Sequence, residues 1–179
     1  PQLSIKALWF PLLKRWVKDQ KLKKGKRLTL AIDRTQWRDQ NVFVISLIQD
    51  QRAIPIYWQL LSKRGCSNLG EQKALIRPVL QLFKGYTVLL LGDREFHSVR
   101  LANWLHSKQI GFILRQKKGT YIRQENQSYQ RLEMLGLVPG VSFFLEDIQV
   151  TKQQGFSRFN LAGYYPRKSR GKVEPSGWY

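Results

Sequence analysis

The sequence predicts an α/β protein: a mixed five-stranded sheet with flanking helices, followed by a β-rich insertion. Three observations lead there. Three strand-like runs follow one another within residues 28–61, joined by the short connections RDQ and DQR. An unbroken apolar run, Val88–Leu91, ends on Gly92, as a buried parallel strand does. From Lys117 onward the pattern changes to short alternating segments with Gly and polar turns.

The elements follow in order. Ser4 stands as the cap of a first helix, IKALWFPLLKRWVKD, in which Leu8, Leu12 and Trp16 recur every four residues on one face. Pro11 marks a kink or break in it. KLKKGKR is a basic linker whose plainest role is a solvated tether. The first strand, Leu28–Trp37, puts Leu28, Leu30 and Ile32 on one face. The second, Asn41–Asp50, carries VFVISLI and reads as buried. The third, Arg52–Leu61, contains Pro55, which suggests an edge or a bulge. The short connections favour antiparallel hairpins. Asn68 caps a helix from about Leu69 to Phe83, closed by Gly85 and kinked at Pro78. After the Val88–Leu91 strand, Ser98 caps a Val99–Lys108 helix, and Gly111–Arg115 is a fifth strand. The order β-β-β-α-β-α-β is a three-strand meander followed by two crossover units. The chain therefore divides into a helix and linker over 1–27, a core over 28–116 and a segment over 117–179. Within that last segment Lys117–Lys172 is the β-rich part.

Composition narrows the partner. The chain of 179 residues suits one domain, or one domain with an insertion. It holds 31 Lys and Arg against 12 Asp and Glu, a net charge of +19. That excess points to a polyanion, most simply nucleic acid, with an anionic membrane surface as the competitor. A ribosomal-type structural protein is a further option, but 12% aromatic content and regular strand signals fit a folded enzyme better. The single cysteine, Cys66, forms no internal disulfide and has no companions for zinc, so a reducing compartment is expected. No apolar run approaches the ~20 residues that span a bilayer, and no secretory signal stands out. Pro1 is not an initiator Met, and the chain reads as a piece of something longer.

Two carboxylates carry the chemistry. Asp33 lies on the first strand, in LTLAIDRTQW, and Asp93 follows the fourth, in YTVLLLGDREFHS. Open α/β sheets place their chemistry at the carboxyl ends of central strands; the plain alternative is an Asp that turns the chain. In the expected sheet the first and fourth strands are parallel neighbours, which brings Asp33 and Asp93 together. Facing carboxylates repel, and a divalent cation resolves the conflict. Mg²⁺ favours one or two protein carboxylates plus phosphate oxygens and water, and a metal pair ~3.5–4 Å apart serves phosphoryl transfer. Arg34, Trp37 and Arg94 flank the acids. An arginine there grips phosphate or pairs with the acid; Trp37 stacks on a base or fills the core. Lys117, Lys118, Arg167, Lys168, Arg170 and Lys172 form a set for non-specific backbone binding, each readable alone as a solvated charge. His97 reads as a strand-to-helix turn residue that reaches phosphate if it points to the Asp93 side. His106 reads as a surface residue, and Glu95 as a helix-entry or surface residue that shares the face of Asp93 if the chain stays extended. No P-loop, GxGxxG, zinc knuckle or Ser/His/Asp arrangement is present.

AIDRTQW, LSKRGCSN and GDREFHSVRLANWL with GFILRQK together resemble the IS4-type DDE transposases. The resemblance runs from roughly Leu28 to the end, and DREF after an apolar strand is its most specific part. It implies an RNase H-like core and metal-dependent DNA cleavage and strand transfer at insertion-sequence ends. It assigns Asp33 and Asp93 as the first and second catalytic acids, ligands of Mg²⁺ or Mn²⁺, with a β-rich insertion before the third. It implies DNA as partner, both transposon ends and target, no membrane, and a cytoplasmic, nucleoid-associated bacterial setting. Oligomeric state stays open, a homodimer of the full-length protein being one option. The departure is the third acid. The family spaces Tyr, two residues, Arg, three residues, Glu; Tyr164 and Arg167 keep the first spacing, but Gly171 stands where Glu is needed. Glu174 falls in a Pro-containing stretch without helical pattern and does not replace it. The expectation is a catalytic-core portion with an incomplete metal site. The alternatives are a catalytically inactive DNA-binding remnant and a metal nuclease without strand transfer.

Overall fold

In a computed structural model of the chain, residues 5–19, 25, 27–61, 65–152 and 157–167 are described. They belong to two compact units, residues 1–92 with 105–113, and residues 93–104 with 114–179.

The first unit is built on helix α1 (Ile5–Asp19), strands β1 (Arg27–Trp37), β2 (Gln40–Gln49) and β3 (Arg52–Leu61), helix α2 (Leu69–Leu82), and strands β4 (Thr87–Gly92) and β5 (Gly111–Leu114). The strand order is β3-β2-β1-β4-β5. β1 and β2, and β2 and β3, are antiparallel, while β1 and β4 run parallel from Arg27↔Thr87 to Ile32↔Gly92. This is the mixed five-stranded α/β sheet the sequence predicts. Leu28, Leu30 and Ile32 of β1 are at most 2% exposed, as are Phe43, Ile45 and Leu47 of β2. Leu75, Ile76 and Val79 of α2 are buried as well. Each such Leu or Ile contributes about 1.5–3 kcal/mol relative to exposure.

Pro55 sits on the edge strand, and the β2–β3 register slips beside it, with Ile45 opposite Tyr57 but Ser46 opposite Pro55. Ile56 is the extra residue, and it turns fully into the core. Asn68 caps α2 through a reciprocal box with Glu71. Both α1 and α2 run through their prolines, Pro11 and Pro78, as continuous helices. The buried face of α1 differs from the stripe read in the sequence. Leu8 and Leu12 are more than half exposed, whereas Leu13 and Val17 are buried. The helix carries two apolar stripes one residue apart. The aromatic residues select between them: the Trp9 indole N–H donates to the Ile56 carbonyl at 3.0 Å, and the Phe10 ring meets Tyr57 edge-on at 5.5 Å.

The second unit holds a 3-10 turn (Arg94–Phe96), the first residues of helix α3 (Val99–Ser107), and strands β6 (Tyr121–Arg123), β7 (Gln130–Arg131), β8 (Ser142–Val150) and β9 (Arg158–Tyr164). The strands form an antiparallel sheet ordered β7-β6-β8-β9. Val99 of α3 joins Ile122, Leu132, Ile148, Val150 and Leu161 in one apolar core. Asn103 Nδ2 on the same helix donates to Ser157 Oγ at 2.6 Å. On β8 and β9, Phe143 and Gly163 are register partners, and the Phe143 ring occupies the space a Cβ on Gly163 would need. Among the described residues no helix is long and apolar enough to cross a membrane.

Candidate functional site

Asp33 belongs to the first unit. It follows Ile32, the last β1 residue paired with β4, and its side chain is exposed. Asp33 Oδ1 accepts the Arg34 backbone N–H at 2.8 Å. Arg34 turns its guanidinium inward instead. Nη1 donates to Asn41 Oδ1 at 2.8 Å, and Asn41 Nδ2 donates to the Gly65 carbonyl at 3.2 Å. Asn41 is fully buried and was not singled out in the sequence; an amide leading a run of apolar strand residues was its one available signal. Trp37 ends β1, and its side chain lies outside the described residues.

Asp93 opens the second unit. Its Oδ1 accepts the Glu95 N–H at 2.9 Å and caps the 3-10 turn, so the plain role of a chain-turning Asp is met. Its surroundings are cationic. Burial lowers the Arg115 pKa first, the like charge of Arg94 lowers it further, and Asp93 acts the other way. The Arg115 guanidinium thus feels both the Asp93 carboxylate and the Arg94 guanidinium. Arg115 lies in the GFILRQK stretch, yet as one more cation in a basic chain it carried no distinguishing sign. His97 is half-buried after the turn. Its pKa is lowered, by burial first and then by Lys117, while the carbonyls of Arg94 and Glu95 favour the proton. Nδ1 is buried and makes no well-formed hydrogen bond.

The basic set is scattered in its roles. Lys117 lines a cavity with His97. Lys118 accepts the Glu133 N–H through its carbonyl. The Arg167 stem lies over Gly140, which takes φ +86°. Lys168, Arg170 and Lys172, together with Gly171 and Glu174, lie outside the described residues.

Asp33 and Asp93 are exposed, and each commits only Oδ1 to a backbone N–H. Oδ2 of each accepts no hydrogen bond among the described residues. Hard oxygen donors of this kind fit Mg²⁺ or Mn²⁺. Among the described residues no three His, Cys, Asp or Glu cluster into a ready-made cage.

No protein-family model matches the chain, and no curated protein does. Among solved structures, the catalytic core domain of BIV integrase aligns over 48% of this chain and 53% of its own, at 21% identity and a TM-score of 0.34. The piggyBac transposase in its synaptic complex with hairpin DNA aligns over 88% of this chain but 38% of its own, at 14% identity and a TM-score of 0.41. The chain thus spans about half the length of the first and well under half of the second.

Proposed function

We propose that the chain is the catalytic-core portion of a DNA transposase of the IS4 DDE kind, with an RNase H-like core at 28–116 and a β-rich insertion at 117–179. The reading rests on one observation above others. The parallel ladder of β1 and β4 ends at Ile32↔Gly92, and on both strands the next residue is Asp. In this reading the two carboxylates hold Mg²⁺ or Mn²⁺. When bound, such an ion supplies Lewis-acid activation of a phosphodiester and of the attacking oxygen.

The remaining residues do the holding. Arg94 and Arg115 offset the charge of Asp93 and offer donors to phosphate. Lys117, Lys118 and Arg167 grip the DNA backbone, and the net charge of +19 draws it in. The DNA is that of transposon ends and target, and the setting is the bacterial cytoplasm, at the nucleoid.

Mn²⁺ binding, followed by electron paramagnetic resonance, tests the reading. Asp33→Asn and Asp93→Asn are each expected to weaken Mn²⁺ by about tenfold or more while DNA binding persists. Unchanged Mn²⁺ affinity in either variant would overturn the shared site. DNA binding without any Mn²⁺ binding would favour the inactive DNA-binding remnant.

A further inference from the structure

We propose that the second unit carries a separate phosphate-binding pocket, formed by His97, Lys117, Tyr121 and Lys152, that seats one backbone phosphate of a DNA strand. The DNA assignment rests on the function proposed above; the phosphate chemistry rests on the pocket alone.

The pocket has a volume of about 500 Å³ and lies within one unit, between the start of α3, residues 116–121 and the end of β8. That size is in the range of small-ligand sites. Its walls contain two lysines and a histidine and no carboxylate. Polar capacity is left over inside it. His97 Nδ1 is buried without a hydrogen-bond partner. A buried polar atom left unmade is costly, so an oxyanion that engages His97 recovers part of that cost.

The aromatic wall decides what kind of ligand fits. A tyrosine in a basic pocket suggests base stacking, but here the ring already holds cations. Lys152 Nζ stands 4.2 Å from the Tyr121 centroid, and the Arg131 guanidinium is 5.6 Å away. The ring therefore positions the ammonium by cation–π attraction, and a base stacking there would have to displace it. The Tyr121 hydroxyl accepts from Arg131 Nε at 3.4 Å, and Arg131 is in turn tied to Glu133. What the pocket presents is an ammonium held against Tyr121, a second lysine and an imidazole with an unpartnered Nδ1. A phosphate group answers all three.

The chain has only two histidines, His97 and His106, which makes the test direct. Imidazole ¹H–¹⁵N resonances are followed while inorganic phosphate is added to the whole chain. The His97 signals are expected to move to saturation while those of His106 stay, and Lys117→Gln/Lys152→Gln is expected to abolish the shift. An unmoved His97, or a shift that survives in the double variant, overturns the pocket.

DNA is tested separately, by anisotropy of a labelled duplex across a salt series. One shared phosphate predicts that the double variant lowers the slope of log affinity against log salt by about 0.9. A loss near twice that, or none, overturns the shared seat. Lys152→Arg, which keeps the charge, is expected to retain most of the slope. If the wild-type chain shifts His97 with phosphate yet binds no DNA, the DNA assignment falls and the phosphate site stands.

Discussion

Arg34 and Asn41 are joined by a 2.8 Å bond from Nη1 to Oδ1, and Asn41 carries the link on to the Gly65 carbonyl. A residue of the acid-flanking strand thus holds the start of the 65–68 loop through a fully buried amide. Asn41→Leu leaves a guanidinium and a carbonyl each short of a partner in a partly buried place. Loss of about 1–3 kcal/mol is expected, read as a lower midpoint in urea unfolding. A change under about 0.5 kcal/mol, the range of an ordinary surface substitution, would count against the link.

Asp93 caps a turn and, in the function proposed above, holds a metal ion, and one substitution separates the two. Asn is as good a cap as Asp, so Asp93→Asn keeps the 3-10 turn and removes the charge. Stability is expected to stay within about 0.5 kcal/mol, DNA affinity to hold or rise, and Mn²⁺ binding to fall. Asp93→Ala loses the cap as well and is expected to cost about 1 kcal/mol more. Thermal melts of the two variants, measured side by side, check the difference.

The lowered pKa of His97 sets a pH dependence. The ordinary value is 6.5, and burial with Lys117 holds the folded value below it. Between the two values the unfolded chain binds the proton and the folded chain does not, so stability rises with pH across that window. The contribution is complete above 6.5 and is lost as pH falls through the folded value. His97→Gln removes this part of the slope. Melting temperatures from pH 5 to 8 are expected to differ between the two proteins by an amount that changes across the window and is flat above it.

Gly163 admits no side chain under Phe143. Gly163→Ala forces the ring aside, at a cost of about 1–3 kcal/mol. In a Phe143→Leu background the same substitution is expected to cost less, because the overlapping ring atoms are gone. Equal costs in both backgrounds, measured by urea unfolding, would reject the steric explanation.

Much of the first unit was legible because its signals are local. Alternation in Leu28, Leu30 and Ile32, the apolar run ahead of Gly92, and Asn68 with Glu71 three residues on each report their own neighbourhood. Pro55 announced both the edge and the bulge. The buried face of α1 was less legible, since Leu8–Leu12 and Leu13–Val17 are equally helical spacings and only the partners of Trp9 and Phe10 decide between them. Asn41, Arg115 and Lys152 were invisible for a different reason. Their environments are assembled from residues far apart in the chain, and nothing beside them in sequence sets them off from other amides and cations.

The bulge at Ile56 also bears on how the sheet guards its outer margin. An outer strand offers its backbone to any extended chain that comes near, and β3 is such a strand. Pro55 withholds one donor there, and the Trp9 indole claims the carbonyl of Ile56. Helix α1 therefore acts as a guard on a sticky margin as much as a packing element. A version trimmed to begin at Arg27 would uncover Tyr57 and that carbonyl together, and it is expected to self-associate through β3 more readily than the untrimmed chain.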